Sequence, residues 1–545
     1  MSSHESLDDK KVASADKVNV LFDDASSISH DELELARLGY KSEFKREFKN
    51  FATISFAFSI MGVTSSVSTT FDTPMLLGGP ASVVWCWFMG AVFCFTLGAS
   101  IAELVSAYPT SGGLYSASAY LVPSKWRPIV GWIVGWLNVL GQVAGVASTC
   151  FGLSRMLWAA VVIAKGPNAL GEGLPYVASA AQVVGLYIGL LSIVGVINSL
   201  PTKFLARITS SFVIINLGTA FVIIIALLAT TSSSDRHTAS YTFTDVNNQS
   251  GWPSDGFAFL LGLLSVQWTM TDYDATAHIS EEVKKASIAA PVAIFVAVIG
   301  TGIVGWVYNI VLVLCAGPIE NLPGPSGMSV ATIIAARLGT KGFLAVWTFV
   351  CLVAFQVVIT AMQANSRTFY AFSRDNALPD RGLFGKLAPN KVPIWSVWLV
   401  VLISVALGCL DFASPVAANA IFSLCAVALD SSYIIPIICL IIFRDHPEVN
   451  FKPGPFQLGR GFIGTATRWT AVAWVIFECS ILCMPTILPI TALNFNYAIV
   501  ITLGVLIGSM VWWFLGANKV YHGPTRQIDE KTLHAIENKA ARGTA

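Results

Sequence analysis

Past its first four dozen residues the chain alternates between apolar runs of roughly 20 residues and short polar segments in which the charges gather. A run of that length crosses the ~30 Å hydrocarbon core of a bilayer as a helix. The pattern predicts spans over 50–71, 81–106, 128–162, 176–199, 204–231, 255–279, 288–315, 341–364, 393–410, 416–443, 469–490 and 495–517. The expectation is therefore an all-α polytopic membrane protein of about twelve transmembrane helices, since only helices and closed barrels satisfy their backbone in lipid. Residues 1–47 are polar, with charged clusters at Glu5 to Lys11 and Asp31 to Glu34, and have no apolar signal core. They predict a disordered N-terminal tail. Residues 48–518 form the expected transmembrane domain, and 519–545 a C-terminal tail.

Composition strengthens this picture. Hydrophobic residues make up 54% of the chain and charged ones only 12%, against ~25% charged in an ordinary soluble domain. A string of soluble domains is excluded by so little surface charge. The net charge of +1 names no partner, and no basic, aromatic-laced patch points to nucleic acid. All ten cysteines lie in or at the ends of apolar runs without metal-ligand spacing, which makes them small packing residues. No metal and no cofactor is expected.

The basic residues fix an orientation. Lys125, Arg127, Lys203, Arg207, Lys284, Lys285, Arg367, Arg374, Arg381 and Lys386 fall in one set of loops, and only Arg155, Lys165, Arg236, Arg337 and Lys341 in the other. The positive-inside rule then places both termini in the cytosol, with the plasma membrane as first expectation and the vacuolar membrane as second. The opposite set includes the polar loop Thr230 to Ser254, which carries the acceptor pattern Asn248-Gln249-Ser250.

Two spans are interrupted in the same way, a pairing that points to a transporter site. The first holds Gly62 amid a run of hydroxyl residues from Ser59 to Thr70. A break there frees backbone N–H groups at a half-helix start, suited to an anion; a close-packed small-residue helix interface is the alternative. The sixth carries Asp272 and Asp274 well before Lys284 and Lys285. Acid at that depth costs ~2.5–3.5 kcal/mol per aspartate and usually faces a cavity. Either aspartate suits a substrate cation, a coupling proton or a half-helix cap. Asp430 in the tenth span is a further intramembrane acid, with a structural bond to neighbouring hydroxyls as the competing reading.

Three segments carry a resemblance. They are Ala102-Glu103-Leu104-Val105-Ser106-Ala107-Tyr108-Pro109-Thr110-Ser111-Gly112-Gly113 after span two, His278-Ile279-Ser280-Glu281-Glu282-Val283-Lys284 after span six, and Ser366-Arg367-Thr368-Phe369-Tyr370-Ala371-Phe372-Ser373-Arg374 after span eight. Over residues 35 to 525 the chain resembles the amino acid–polyamine–organocation superfamily. Within it, Arg37-Leu38-Gly39-Tyr40-Lys41 and Tyr521-His522-Gly523-Pro524 are similar to the fungal amino acid/choline group that includes GABA permeases. The resemblance implies an inverted repeat of spans one to five and six to ten with two appended helices. It also implies that backbone N–H groups of Gly62, Val63, Thr64 and Ser65 meet a substrate carboxylate. Carbonyls near Ile60, Trp268 and Thr271 would meet the amine, and Trp268 would close over the substrate. Asp272 stands where many relatives have glycine, so it is the candidate for reading extra positive charge or ordering the unwound segment.

Some proton-driven relatives carry a lysine midway along the fifth helix; the matching position here is Asn216. A proton symporter would need another titrating group, and Asp274, Asp272, Glu103 and Asp430 are the candidates. His278, Glu281 and Glu282 lack the second histidine of a metallohydrolase motif, so an enzyme is not expected. Glu281, Glu282, Lys284 and Lys285 read as a solvated charge cluster, and the Arg367 and Arg374 segment as an inner gate or topology anchor. The expected function is a permease for an amino acid, GABA or related small amine, moving a zwitterionic or cationic solute by alternating access with a proton. A choline or polyamine carrier, an exchanger and a nutrient sensor on the same fold are the alternatives.

Overall fold

A computed structural model describes residues 29–166, 176–412, 415–449, 451–491 and 494–543. Among the described residues the regular structure is helical, and ten helices are long and apolar enough to cross a membrane. The two remaining predicted spans are also present. Span six runs as the short helices Asp255–Leu260, Leu263–Met270 and Ala275–His278. Span eleven is the helix Phe462–Leu482, which carries Arg468 and Glu478 and is therefore less apolar than the rest. Twelve membrane segments thus stand in the predicted order.

Boundaries differ most for spans eight and eleven, observed at Ser329–Arg374 and Phe462–Leu482 against the expected 341–364 and 469–490. Span three is a single helix, Arg127–Lys165, and span eight runs from Ser329 to Arg374 across a kink at Gly339, where φ is 66°. Span eight is long because it extends at both ends: the stretch before Gly339 lies at the end away from the termini, where Arg337 meets the Cys315 carbonyl, and the stretch to Arg374 lies at the end that holds them. These two long helices pack on one another, and span three packs also on span ten, Pro415–Phe443. Spans two (Pro80–Ala107) and seven (Ala286–Leu314) pack along their length, with Gly305 letting Trp87 come close, while Gly90 of span two admits Val266 of span six. The outer faces are apolar and exposed, as at Ile214, Ile303, Leu402 and Phe514. That is the surface a lipid-facing helix presents.

The N-terminal expectation needs correcting. Residues 1–28 lie outside the described residues, but 29–47 are folded rather than disordered. Ser29 and Glu32 form a reciprocal capping box that starts the helix His30–Arg37. Tyr40, Phe44 and Phe48 are then buried. The Phe48 N–H donates to the Glu282 carbonyl at 3.0 Å, and the Lys284 N–H donates back to Phe48 at 2.9 Å. The C-terminal helix Glu530–Gly543 packs on His30–Arg37 and places Glu537 3.0 Å from Arg37. Few apolar residues anchor this segment, and their partners are hundreds of positions away, so local polarity concealed it.

The charge cluster after span six is corrected as well. Glu281 and Glu282 are buried, not solvated. Glu282 accepts from the Arg367 guanidinium at 2.6 Å, and Glu281 lies 3.4 Å from Arg374. Lys284 and Lys285 do remain exposed, beside Lys49. At the opposite end, the Asn248 amide donates to the Trp252 carbonyl at 2.8 Å and to Asp255 at 3.1 Å, so its own turn engages the predicted acceptor.

Candidate functional site

Span one is broken at Gly62. Asn50–Met61 ends and Val63–Thr70 begins there, with Gly62 left-handed at φ 43°, ψ 57°. An L-residue strains in that region, and a Cβ on Gly62 would also run into the Val357 side chain of span eight. Of the carbonyls exposed by the break, that of Met61 accepts from the Ser66 hydroxyl and that of Gly62 from Ser65, both at 2.9 Å. No side chain caps the start of Val63–Thr70. The N–H groups of Val63, Thr64 and Ser65 therefore form the positive end of a half-helix. The Thr64 hydroxyl beside them is buried without a partner, and Ile60 and Ser65 are buried too.

Span six is broken one turn past Trp268. Thr271 is extended and Asp272 takes φ 66° before Ala275–His278 resumes the helix. Hydroxyls join the two interrupted spans, with Thr70 and Ser265 2.8 Å apart. Span three supplies the polar wall of the break. Asn138 donates to Asp274 at 2.6 Å and Gln142 to Asp272 at 3.3 Å, while Thr368 of span eight donates to Gln142 at 3.2 Å. Asp274 accepts two further bonds, from Tyr433 at 2.7 Å and His278 at 3.0 Å. Four groups from three spans thus hold an unwound segment that has lost its helical bonds, the requirement for irregular backbone at membrane depth.

Trp268 meets the same region from the other side. It donates to the Ser148 hydroxyl at 3.0 Å and packs edge-on against Phe422 at 4.8 Å. Beyond the Phe422 ring, toward the end away from the termini, lies a cavity of ≈ 340 Å³ lined in part by Thr69, Asp72, Arg155 and Ser423. Burial pushes the Asp72 carboxyl up from its ordinary value, although it accepts the Ser329 N–H at 2.9 Å.

The remaining predicted residues separate into two groups. Asp430 belongs to the site, since the Thr271 hydroxyl donates to it at 3.0 Å. Glu103 does not belong there: Arg468 of span eleven grips it with both nitrogens, at 2.7–2.9 Å, near the end of span two. Asn216 donates to the Phe58 carbonyl at 3.1 Å and so ties span five to the last turn before the Gly62 break. Sequence reasoning missed Asn138, Gln142, Tyr433 and Glu478. Asn138 and Gln142 were open to view as polar residues four apart in an apolar span, which places them on one helical face. Glu478 answers to the same rule as Asp430, an acid inside an apolar span.

Comparison with known proteins identifies the family. The family model described as amino acid permease matches residues 48–506. An uncharacterized amino-acid permease of Schizosaccharomyces pombe is 45% identical over 92% of this chain and 91% of its own length. Amino-acid permease 2 of Neurospora crassa is 38% identical over 92% and 90%, and amino-acid permease BAT1 of Arabidopsis thaliana 34% identical over 91% and 96%. A family match across the membrane domain, with relatives aligned nearly end to end, gives the function as amino-acid transport rather than an enzymatic one. The chain belongs to the amino acid permease family and is a multi-pass integral membrane protein.

Proposed function

We propose that this permease carries an amino acid, GABA or a related small amine together with a proton, by alternating access around the paired breaks of spans one and six. The carrying observation is the chemistry at the two breaks. One offers the uncapped N–H groups of Val63, Thr64 and Ser65, which suit a carboxylate. The other brings Asp272 and the carbonyls around Trp268 and Thr271, which suit an ammonium. A zwitterion satisfies both without bringing net charge into the membrane. Trp268, 7% exposed against Phe422, supports the role of a lid that must move for solute to pass.

Proton coupling is supported by the run of buried carboxyls, Asp272, Asp274 and Asp430, in a region where span five supplies Asn216 instead of a base. Glu103 is the weakest of the candidates, because its carboxylate is already neutralised by Arg468. The proposed setting is the plasma membrane, with both termini cytosolic. Lys49, Lys284 and Lys285 cluster at the end that holds the termini, in keeping with the positive-inside rule.

The test is uptake of labelled GABA, proline, choline and putrescine into proteoliposomes under an inward proton gradient, with and without an ionophore that collapses it. Accumulation of one of the first two that vanishes with the gradient is the expected result. Flux only against preloaded solute would make the protein an exchanger, binding without flux a sensor, and accumulation of choline or putrescine alone would replace the substrate class.

A further inference from the structure

Asp430, already placed at the site, has an acidic neighbour in span eleven. Glu478 of span eleven is fully buried and stands beside the likewise buried Asp430 of span ten: the neighbouring Ser431 hydroxyl and Cys479 thiol lie 4.0 Å apart, and the two carboxyls engage Gln267 and Thr271, one turn apart on span six. Two carboxyls that share one dry site cannot both ionise without a large cost, so such a pair keeps a proton between them. The rest of the pair's surroundings supplies donors. The Gln267 amide donates to Glu478, and Thr271 donates to Asp430 at 3.0 Å. The Gln267 oxygen in turn accepts from the Cys94 thiol at 2.9 Å, so span two closes the far side. The other titratable groups that face the pair are Asp274 and Tyr273 of span six, Tyr433 and Cys425 of span ten, and Cys479 of span eleven. None of them is a base, so no cation among them offsets a second negative charge.

We propose that the Asp430–Glu478 pair is the site that binds the coupling proton, with span eleven supplying half of it. The inference rests on the proton-symport reading above and narrows it to one site. With one proton the pair carries a single negative charge and is joined by its shared hydrogen. Release of that proton leaves two carboxylates side by side in a dry interior, and the only relief is separation. Both ends of that movement are attached to the broken helix. Asp430 holds Thr271, the first unwound residue, and Glu478 holds Gln267, one turn earlier and next to Trp268. Loss of the proton therefore loosens the two side chains that frame the Trp268 lid. Asp274, by contrast, is saturated by donors from Asn138, His278 and Tyr433, which fits an anion that stays in place.

The test compares gradient-driven accumulation with solute exchange in proteoliposomes, for the wild type, E478Q and E478D. An inward gradient of one pH unit at one proton per solute drives about tenfold accumulation, since each tenfold ratio is worth about 1.4 kcal/mol. The wild type should reach that ratio and acidify the lumen when solute is added. E478Q should exchange solute while its accumulation ratio falls to about one and the solute-induced acidification disappears. Accumulation by E478Q at the wild-type ratio would overturn the proposal. Should E478Q exchange no solute, E478D decides: an uptake profile displaced along the pH axis supports the pair, and an unshifted one removes it. A wild type that accumulates nothing under the gradient would instead bring down the symport reading itself.

Discussion

The Arg367 guanidinium donates to the Glu282 carboxylate at 2.6 Å, and neither side chain has any exposed surface. Span eight is thereby bolted to the segment that leaves broken span six. Glu281 and Arg374 repeat the arrangement two turns on, where the Arg374 guanidinium also lies 4.2 Å above the Tyr40 ring of the N-terminal segment. Removing one partner of such a pair leaves a buried charge uncompensated, which costs ~3–5 kcal/mol. Arg367→Ala and Glu282→Gln are each expected to lower the melting temperature of the detergent-solubilised protein. The double variant R367M/E282L should recover most of the loss. Fluorescence-detected thermal unfolding measures this, and a double variant R367M/E282L no more stable than either single one would show that the two side chains are not partners in the folded protein.

The break in span one depends on Gly62 for two separate reasons. Its φ of 43° costs an L-residue ~1–2 kcal/mol, and the added Cβ meets Val357. Gly62→Ala should therefore weaken substrate binding, and Gly62→Leu should abolish it. G62A with Val357→Ala relieves the steric part but not the backbone part, so affinity should return only partly. Binding measured by scintillation proximity separates these contributions. Wild-type affinity in G62L would mean that the chain needs no break at this position.

What could be read from the sequence divides along a physical line. Spans and breaks were legible because each is coded within some 20 residues: an apolar run, a glycine among hydroxyls, two acids before a basic turn. The site's first ring of candidates followed, and Asp272, Asp274 and Asp430 do stand around one unwound segment. Partnerships were not legible. The choice between a solvated cluster and a buried double ion pair after span six turned on Arg367 and Arg374, more than 80 positions away. Residues 29–47 look disordered in isolation because their helix is charged; what orders them is a handful of rings fitting between distant loops. Glu478 was open to view as an intramembrane acid by the same rule as Asp430, but its partner lies on another span.

Asp274 gathers donors from spans three, six and ten. An amide in its place must turn an N–H toward one of them and leave a buried group unpaired, at ~1–3 kcal/mol. Asp274→Asn should accordingly lower thermal stability and the rate of transport, with residual uptake still driven by the proton gradient. Initial rates at several imposed gradients check this. A variant that exchanges solute normally but ignores the gradient would move the proton site from Asp430 and Glu478 to Asp274.

Asp375, one residue past the end of span eight, links both tails to the bundle. It accepts from the Tyr40 and Tyr115 hydroxyls at 3.2 and 3.0 Å and from the Thr525 N–H at 3.2 Å. Burial pushes its carboxyl up to about 6, against the pull of Arg374 and these three donors. A carboxyl whose folded-state value is raised holds its proton longer in the folded protein than in the unfolded chain. Between roughly pH 4 and 6 the folded state therefore binds more protons, and stability falls as pH rises through that window. Two pH units of displacement correspond to a cost of ~3 kcal/mol at neutral pH. Asp375→Asn carries no charge to desolvate and keeps one acceptor oxygen. It should flatten this pH dependence and raise the melting temperature at pH 7 relative to pH 5. Melting curves across pH 4.5–7.5 for both proteins decide it, and an equally steep slope in D375N would assign the dependence to another group.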